Sequence, residues 1–181
     1  VQRAGVMQLE GTYRNVEYYI EDLYQRPRVP LEVEGGLLTG GGTINQALLA
    51  TGGVVQPGGG SRATMSVIFE YSRYHYTYPD PPKDDTFDAP VPLVLIGSEA
   101  TLRIALPGAG GAPGTALSVE GVTHLAGTLE LTVPGQGGPA VGTSHVVLTS
   151  LGGVVGTFAQ VISPVPVDVI YGTTTVTVVV L

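Results

Sequence analysis

Gly127-Thr128-Leu129-Glu130-Leu131-Thr132-Val133 and Gly156-Thr157-Phe158-Ala159-Gln160-Val161 decide how this chain is read. Each run begins at a glycine, passes through threonine to a large apolar residue, and then alternates or nearly alternates until a Pro or Ser-Pro stop. Successive side chains of an extended strand point to opposite sides, so this alternation spells a short β-strand with one buried face. The opening triplet recurs upstream as Gly11-Thr12-Tyr13 and Gly42-Thr43-Ile44. As the repeating unit, it predicts that Ile44, Leu129 and Phe158 stack inward as ladders while their threonines face out.

The totals agree with a folded, β-rich chain. Its 181 residues suffice for a single domain, residues 1–181, with a sizeable core. Hydrophobic residues make up 43% and charged residues 13%, the reverse of a disordered composition. Gly 27 and Pro 14 impose many reversals, and Val and Thr dominate between them, which predicts an all-β chain of short strands. The net charge is −7 and the arginines are scattered, with Lys83 the one lysine. No basic cluster can displace counterions from phosphates, so neither nucleic acid nor an anionic membrane surface is an expected partner. The absence of cysteine excludes disulfides and thiolate metal sites. The first residue is Val1 and no charged-then-apolar signal segment follows, which predicts a processed product or a fragment. The longest apolar run, Val176 to Leu181, is too short to cross a bilayer and reads as a final strand.

Upstream, Val6 to Tyr13 reads as a strand turning at Gly11 into the next. In Val16 to Tyr24, helical spacing of Val16, Tyr19, Ile20 and Leu23 competes with the β-forming cluster Tyr18-Tyr19-Ile20; strand is expected, with a short capping helix as the rival. From Leu31, the chain alternates through Val33, turns at Gly35-Gly36, extends through Thr39, turns at Gly40-Gly41-Gly42 and extends again at Thr43-Ile44. Strands this short are brief for hairpin sheets but suit a β-solenoid, where each strand pairs with its counterpart on the next coil. A β-sandwich is the competing fold.

Leu37-Leu38-Thr39-Gly40-Gly41-Gly42-Thr43-Ile44-Asn45, followed by Gly53 to Ser61, resembles the coils near the end of bacterial autotransporter-like passengers. Leu117 to Leu129, Val147 to Phe158 and Val169 to Val178 resemble the later coils and last strands of the same family. The likeness covers residues 31–61 and 93–181 and implies a right-handed β-helix exported to the cell surface or beyond. Residues 1–61 would then form N-terminal coils and 93–181 C-terminal coils. The departure is Arg62 to Pro92, a Tyr-rich strand and Pro/Asp loop that reads as an insertion. Roughly six to eight coils of about 20 residues are expected, making a rod on the order of 30–40 Å long at about 4.8 Å per coil.

Candidate sites are few. Tyr74, Tyr76 and Tyr78 lie at period two and would share one strand face able to stack on sugar rings or a neighbouring subunit; the plainer reading packs them under their own loop. Asp80, Asp84, Asp85 and Asp88 supply oxygen ligands suited to calcium, yet Pro79, Pro81, Pro82 and Lys83 interrupt them, and a solvated acidic loop is the better reading. His75, His124 and His145 are isolated, His124 being expected to face outward, and no catalytic signature occurs. Glu120 and Glu130 could pair on stacked coils as glycoside hydrolysis requires, though one pair of surface glutamates argues little. No cofactor, metal or catalytic residue is therefore expected.

The expected function is that of a non-enzymatic extracellular structural protein, a fibre or filament module. Val176, Thr177, Val178, Val179, Val180 and Leu181 form an uncharged β-forming end without a gatekeeper residue, expected to pair with another chain or another part of this one. A carbohydrate-binding adhesive module using Tyr74 to Tyr78 is the alternative, and a polysaccharide-degrading β-helix enzyme the remote one.

Overall fold

The computed structural model describes residues 5–9, 12–13, 30–58, 64–68, 93–108, 114, 116–134 and 137–181. These contain strands and no helix. In chain order the strands are β1 (Val6–Leu9), β2 (Thr12–Tyr13), β3 (Leu31–Val33), β4 (Leu37–Gly40), β5 (Thr43–Ile44), β6 (Leu48–Pro57), β7 (Thr64–Val67) and β8 (Val94–Ala105). They continue as β9 (Ala116–Val119), β10 (Val122–Leu125), β11 (Thr128–Thr132), β12 (Ser144–Ser150), β13 (Gly153–Gly156), β14 (Gln160–Ile162), β15 (Val167–Tyr171) and β16 (Thr175–Val180). The stretch Val16 to Tyr24, with its strand-or-helix question, lies outside the described residues.

Two sheets form, and neither closes into a barrel. The first runs β1-β4-β6-β8-β10-β13, with β3 beside β6 and β11 between β8 and β14; the second runs β15-β16-β12-β9-β7-β5-β2. Only the β12–β16 and β15–β16 ladders are antiparallel; every other described ladder is parallel. Parallel neighbours need a crossover, usually a helix. Here the crossover is a strand of the opposite sheet: the chain goes from β4 through β5 to reach β6, which lies beside β4. The immunoglobulin-type sandwich, by contrast, is built of antiparallel sheets.

Alternation decides which side chains enter the interior between the sheets. Along the second half of β8 and one residue past it, Ala100, Leu102, Ile104 and Leu106 are buried while Thr101, Arg103 and Ala105 are only half-buried. Register then stacks like on like. Met7, Leu38, Val55, Leu102, Leu129 and Val161 form one inward column. Ile44, Val67, Val119 and Ser150 form another on the opposite sheet. Ile44, Leu129 and Phe158 are all buried as expected, but not in one ladder: Ile44 stands in the second sheet, Leu129 in the first, and Phe158 at a corner preceding β14. In the β2–β5 register Thr12 lies against Thr43 and Tyr13 against Ile44.

The expected coil of about 20 residues holds only in places. Leu37 pairs with Val54, but Val54 pairs with Thr101, so most of the surplus length sits in the connections, and the β6–β8 ladder shifts its register by one residue between Ala50 and Gly52. Thr64–Val67, at the start of the 62–92 stretch, is a strand of the second sheet with Met65 and Val67 fully buried.

Two of the buried polar side chains occupy the inward columns, and they satisfy each other. Thr123 Oγ1 donates to Ser150 Oγ at 2.9 Å, and the Ser150 hydroxyl lies 2.7 Å from the Gly121 carbonyl and 2.8 Å from that of Gly153. A buried hydroxyl without partners costs more than its bond returns. This network pins the corner where β12 turns into β13.

Candidate interaction edges at the two ends

The last six residues of the chain do not form a free edge. β16 lies between β12 and β15, with Val176 opposite both Leu148 and Tyr171. Val176, Val178 and Val180 are buried, Thr177 and Val179 half-buried, and Leu181 is exposed while its N–H donates to the Pro166 carbonyl at 3.0 Å. The β12 partner carries a bulge between Val146 and Leu148. Val147 and Leu148 both turn inward as a result.

The open edges at this end are instead β13, β14 and β15, each the outermost described strand at its position. Burial falls away along the columns as they reach it. Leu129 is 0% exposed, whereas Val161, next in its column, is 39% exposed, with Ile162 at 48%, Ile170 at 55% and Leu151 at 75%. Eight of the nine large apolar residues exposed among those described lie at or beyond Val141; the ninth is Val6, on β1 at the other end. From Leu131 to Leu181 the one charged residue is Asp168, with His145 the one histidine. Natural sheet edges are usually guarded by charge, proline or a bulge, and this end is guarded thinly.

The inner side of β15 is well anchored. Val167, Val169 and Tyr171 pack against the core. The Phe158 N–H donates to the Tyr171 hydroxyl at 3.1 Å, and the two rings sit 6.4 Å apart, tilted by 46°. This contact joins the edge strand of one sheet to the corner of the other. Ile170 and Asp168 are left on the outward side.

Outward on the first sheet, register aligns Gln8, Thr39, Gln56, Arg103, Glu130 and Ile162. Arg103 Nε and Nη2 both lie 2.9 Å from Glu130 Oε2, and Arg103 Nη1 donates to Gln56 Oε1 at 3.4 Å. Both charged side chains are about a third exposed, so the pair contributes about 0–1 kcal/mol. Sequence reading missed this pair, because Arg103 and Glu130 meet only through a register set 27 residues apart.

The remaining sequence-derived candidates are dispersed. Glu130 has Arg103 and Ile162 as its ladder neighbours, and Glu120 is an exposed bend residue after β9, so the register does not stack the two glutamates. His124 faces outward between buried Thr123 and Leu125, as expected, and is half-buried. His145 Nε2 lies 2.9 Å from Thr143 Oγ1. Tyr74, Tyr76, Tyr78, His75, Asp80, Asp84, Asp85 and Asp88 lie outside the described residues. Among the described residues no three His, Asp or Glu side chains gather as a metal site, and no helix is long and apolar enough to cross a membrane.

Residues 14–29 and 69–92 each follow a strand of the second sheet, β2 or β7, and each precede a strand of the first, β3 or β8. Together they carry seven of the nine tyrosines: Tyr18, Tyr19, Tyr24, Tyr71, Tyr74, Tyr76 and Tyr78. No protein-family model matches the chain, and no curated protein does.

Proposed function

We propose that the chain is a non-enzymatic structural module of a secreted or surface-exposed bacterial protein. In this reading it is a right-handed β-solenoid whose copies join through their end strands into a fibre. The observation that carries the reading is a set of parallel apolar columns ending at strands with exposed apolar side chains and one charge. Among the described residues, helix-free parallel pairing supports a coil, since the chain passes between parallel neighbours through a strand of the opposite sheet, as from β4 through β5 to β6, and parallel crossovers are right-handed in about 98% of cases. The passenger-like segments 31–61 and 93–181 support an extracellular setting.

Sedimentation velocity and electron microscopy of the purified chain test this reading. Species larger than the 18.6 kDa chain should grow with concentration. Ile170→Lys places a charge on the outward side of β15 without entering the core, and should weaken assembly at least about tenfold, or about 1.4 kcal/mol. A chain that stays monomeric at every concentration overturns the reading.

A second reading, a carbohydrate-binding adhesive module, is favoured by the period-two recurrence of Tyr74, Tyr76 and Tyr78 in the sequence. Aromatic faces stack on sugar rings at low entropic cost. Glycan-array binding lost when Tyr74, Tyr76 and Tyr78 are changed together to Ala is the expected result; undiminished binding rejects it.

A further inference from the structure

Two reversals at the end of the chain restore the strand sense. β16 runs antiparallel to β12, and β15 antiparallel to β16. β15 therefore runs in the same sense as β12, and through the parallel ladders of its sheet in the same sense as β2. β14 shares the sense of β11, β8, β6, β4 and β1. The outermost described strands at the two ends, β1 with β2 and β14 with β15, thus point the same way in their respective sheets.

We infer that the occupant of the β14–β15 edge is β1 and β2 of a second copy of this chain, joined head to tail in parallel. The inference rests on the self-association proposed above and specifies its joint. A second copy set beyond β14 in the unbroken register brings its Met7 against Val161, its Val6 against Gln160 and its Gln8 against Ile162. The inward column from Met7 to Val161 then continues across the joint without a break. That accounts for both of its ends: Met7 is half-buried and Val161 39% exposed, whereas Leu38, Val55, Leu102 and Leu129 between them are fully buried. It also covers Val6, which is 69% exposed, together with Ile162. The joint repeats the pairing that already holds β11 to β14 within the chain.

The chain contains no cysteine, so single cysteines report the joint without background. Gln8 and Ile162 are both exposed outward residues in the same column. Neighbouring parallel strands lie about 4.8 Å apart, within the separation of about 4.4–6.8 Å between Cα atoms that a disulfide spans. Gln8→Cys and Ile162→Cys proteins, each checked for unchanged circular dichroism and sedimentation, are oxidised separately and as a mixture. A covalent dimer in the mixture and none in either protein alone is the expected result. Self-crosslinking of the Ile162→Cys protein, indicating tail-to-tail contact, overturns the inference, as does the absence of crosslinks in protein that visibly assembles; both leave the fibre reading standing. An unsubstituted chain that never leaves the monomer overturns both.

Discussion

Gly127→Ala should destabilise the protein by about 3 kcal/mol, the upper end of what overpacking a well-filled site costs. A side chain added at Gly127 would run into the backbone carbonyl oxygens of Ala100 and Gly97 on the preceding strand. Those atoms belong to β8, whose residues on both sides of the corner are locked into ladders with β6, β10 and β11. They have no rotamer to escape into. Gly142→Ala is the matched control: its φ of +81° penalises alanine, but nothing lies within 4 Å of the added methyl, so the expected cost is about 1–2 kcal/mol. For a chain of this size each kcal/mol moves the midpoint by about 2–4 °C. Thermal unfolding followed by circular dichroism should therefore rank Gly127→Ala well below Gly142→Ala. Equal midpoints would mean that the corner does not bring the two strands into backbone contact.

Leu102→Ala should cost about 3–4 kcal/mol, the range for a large aliphatic side chain removed from a site that cannot collapse. Leu102 is 0% exposed, held between Val55 and Leu129 in its column and flanked along β8 by buried Ala100 and Ile104. Val161→Ala, in the same column but 39% exposed at its open end, should cost less than about 1 kcal/mol in the monomer, since little apolar area is removed from contact. Urea unfolding of both variants, with unchanged m-values, checks the gradient. A column that loses the same stability at both positions would contradict the opening seen at β14.

Much of the strand content was legible because its signal is local. In Ala100 to Leu106 the alternation names the buried residues directly, and the structure buries the same four. Glycine runs such as Gly35-Gly36 and Gly40-Gly41-Gly42 do mark the turns beside β4. The Gly-Thr-apolar triplet was legible only in part. At Ile44, Leu129 and Phe158 it predicts the inward side chain correctly, yet the triplet opens β5 in the second sheet and β11 in the first, while at Gly156 it closes β13 and does not start β14. Nothing in a triplet distinguishes these settings, because the difference lies in what each strand is stacked on.

The C-terminal strand makes the same point about edges. Val176 to Leu181 reads from sequence as an uncharged β-former in need of a partner, and in the structure its partners are β12 and β15 of the same chain. The exposed edge passes to β14 and β15, where Ile162 and Ile170 face outward. A free edge is a property of a whole sheet, not of any strand in it. The Arg103–Glu130 pair was hidden for the same reason, since neither residue has the other within reach along the chain.

By itself, then, the sequence determined the all-β character, the short strands, the turn positions and the inward or outward direction of most side chains. These follow from backbone conformation and from a side-chain period of two, both set within a few residues. Only the tertiary structure decided the parallel register, the division into two sheets, the buried Thr123–Ser150 corner and the identity of the end strands. Those depend on pairings between residues as near as Tyr171 and Val176 and as far as Thr64 and Ala116, separations of 5 and 52 positions. Loop-closure entropy rises only slowly with such distances, so chain length does not select among the possible pairings. Packing of the complete columns does.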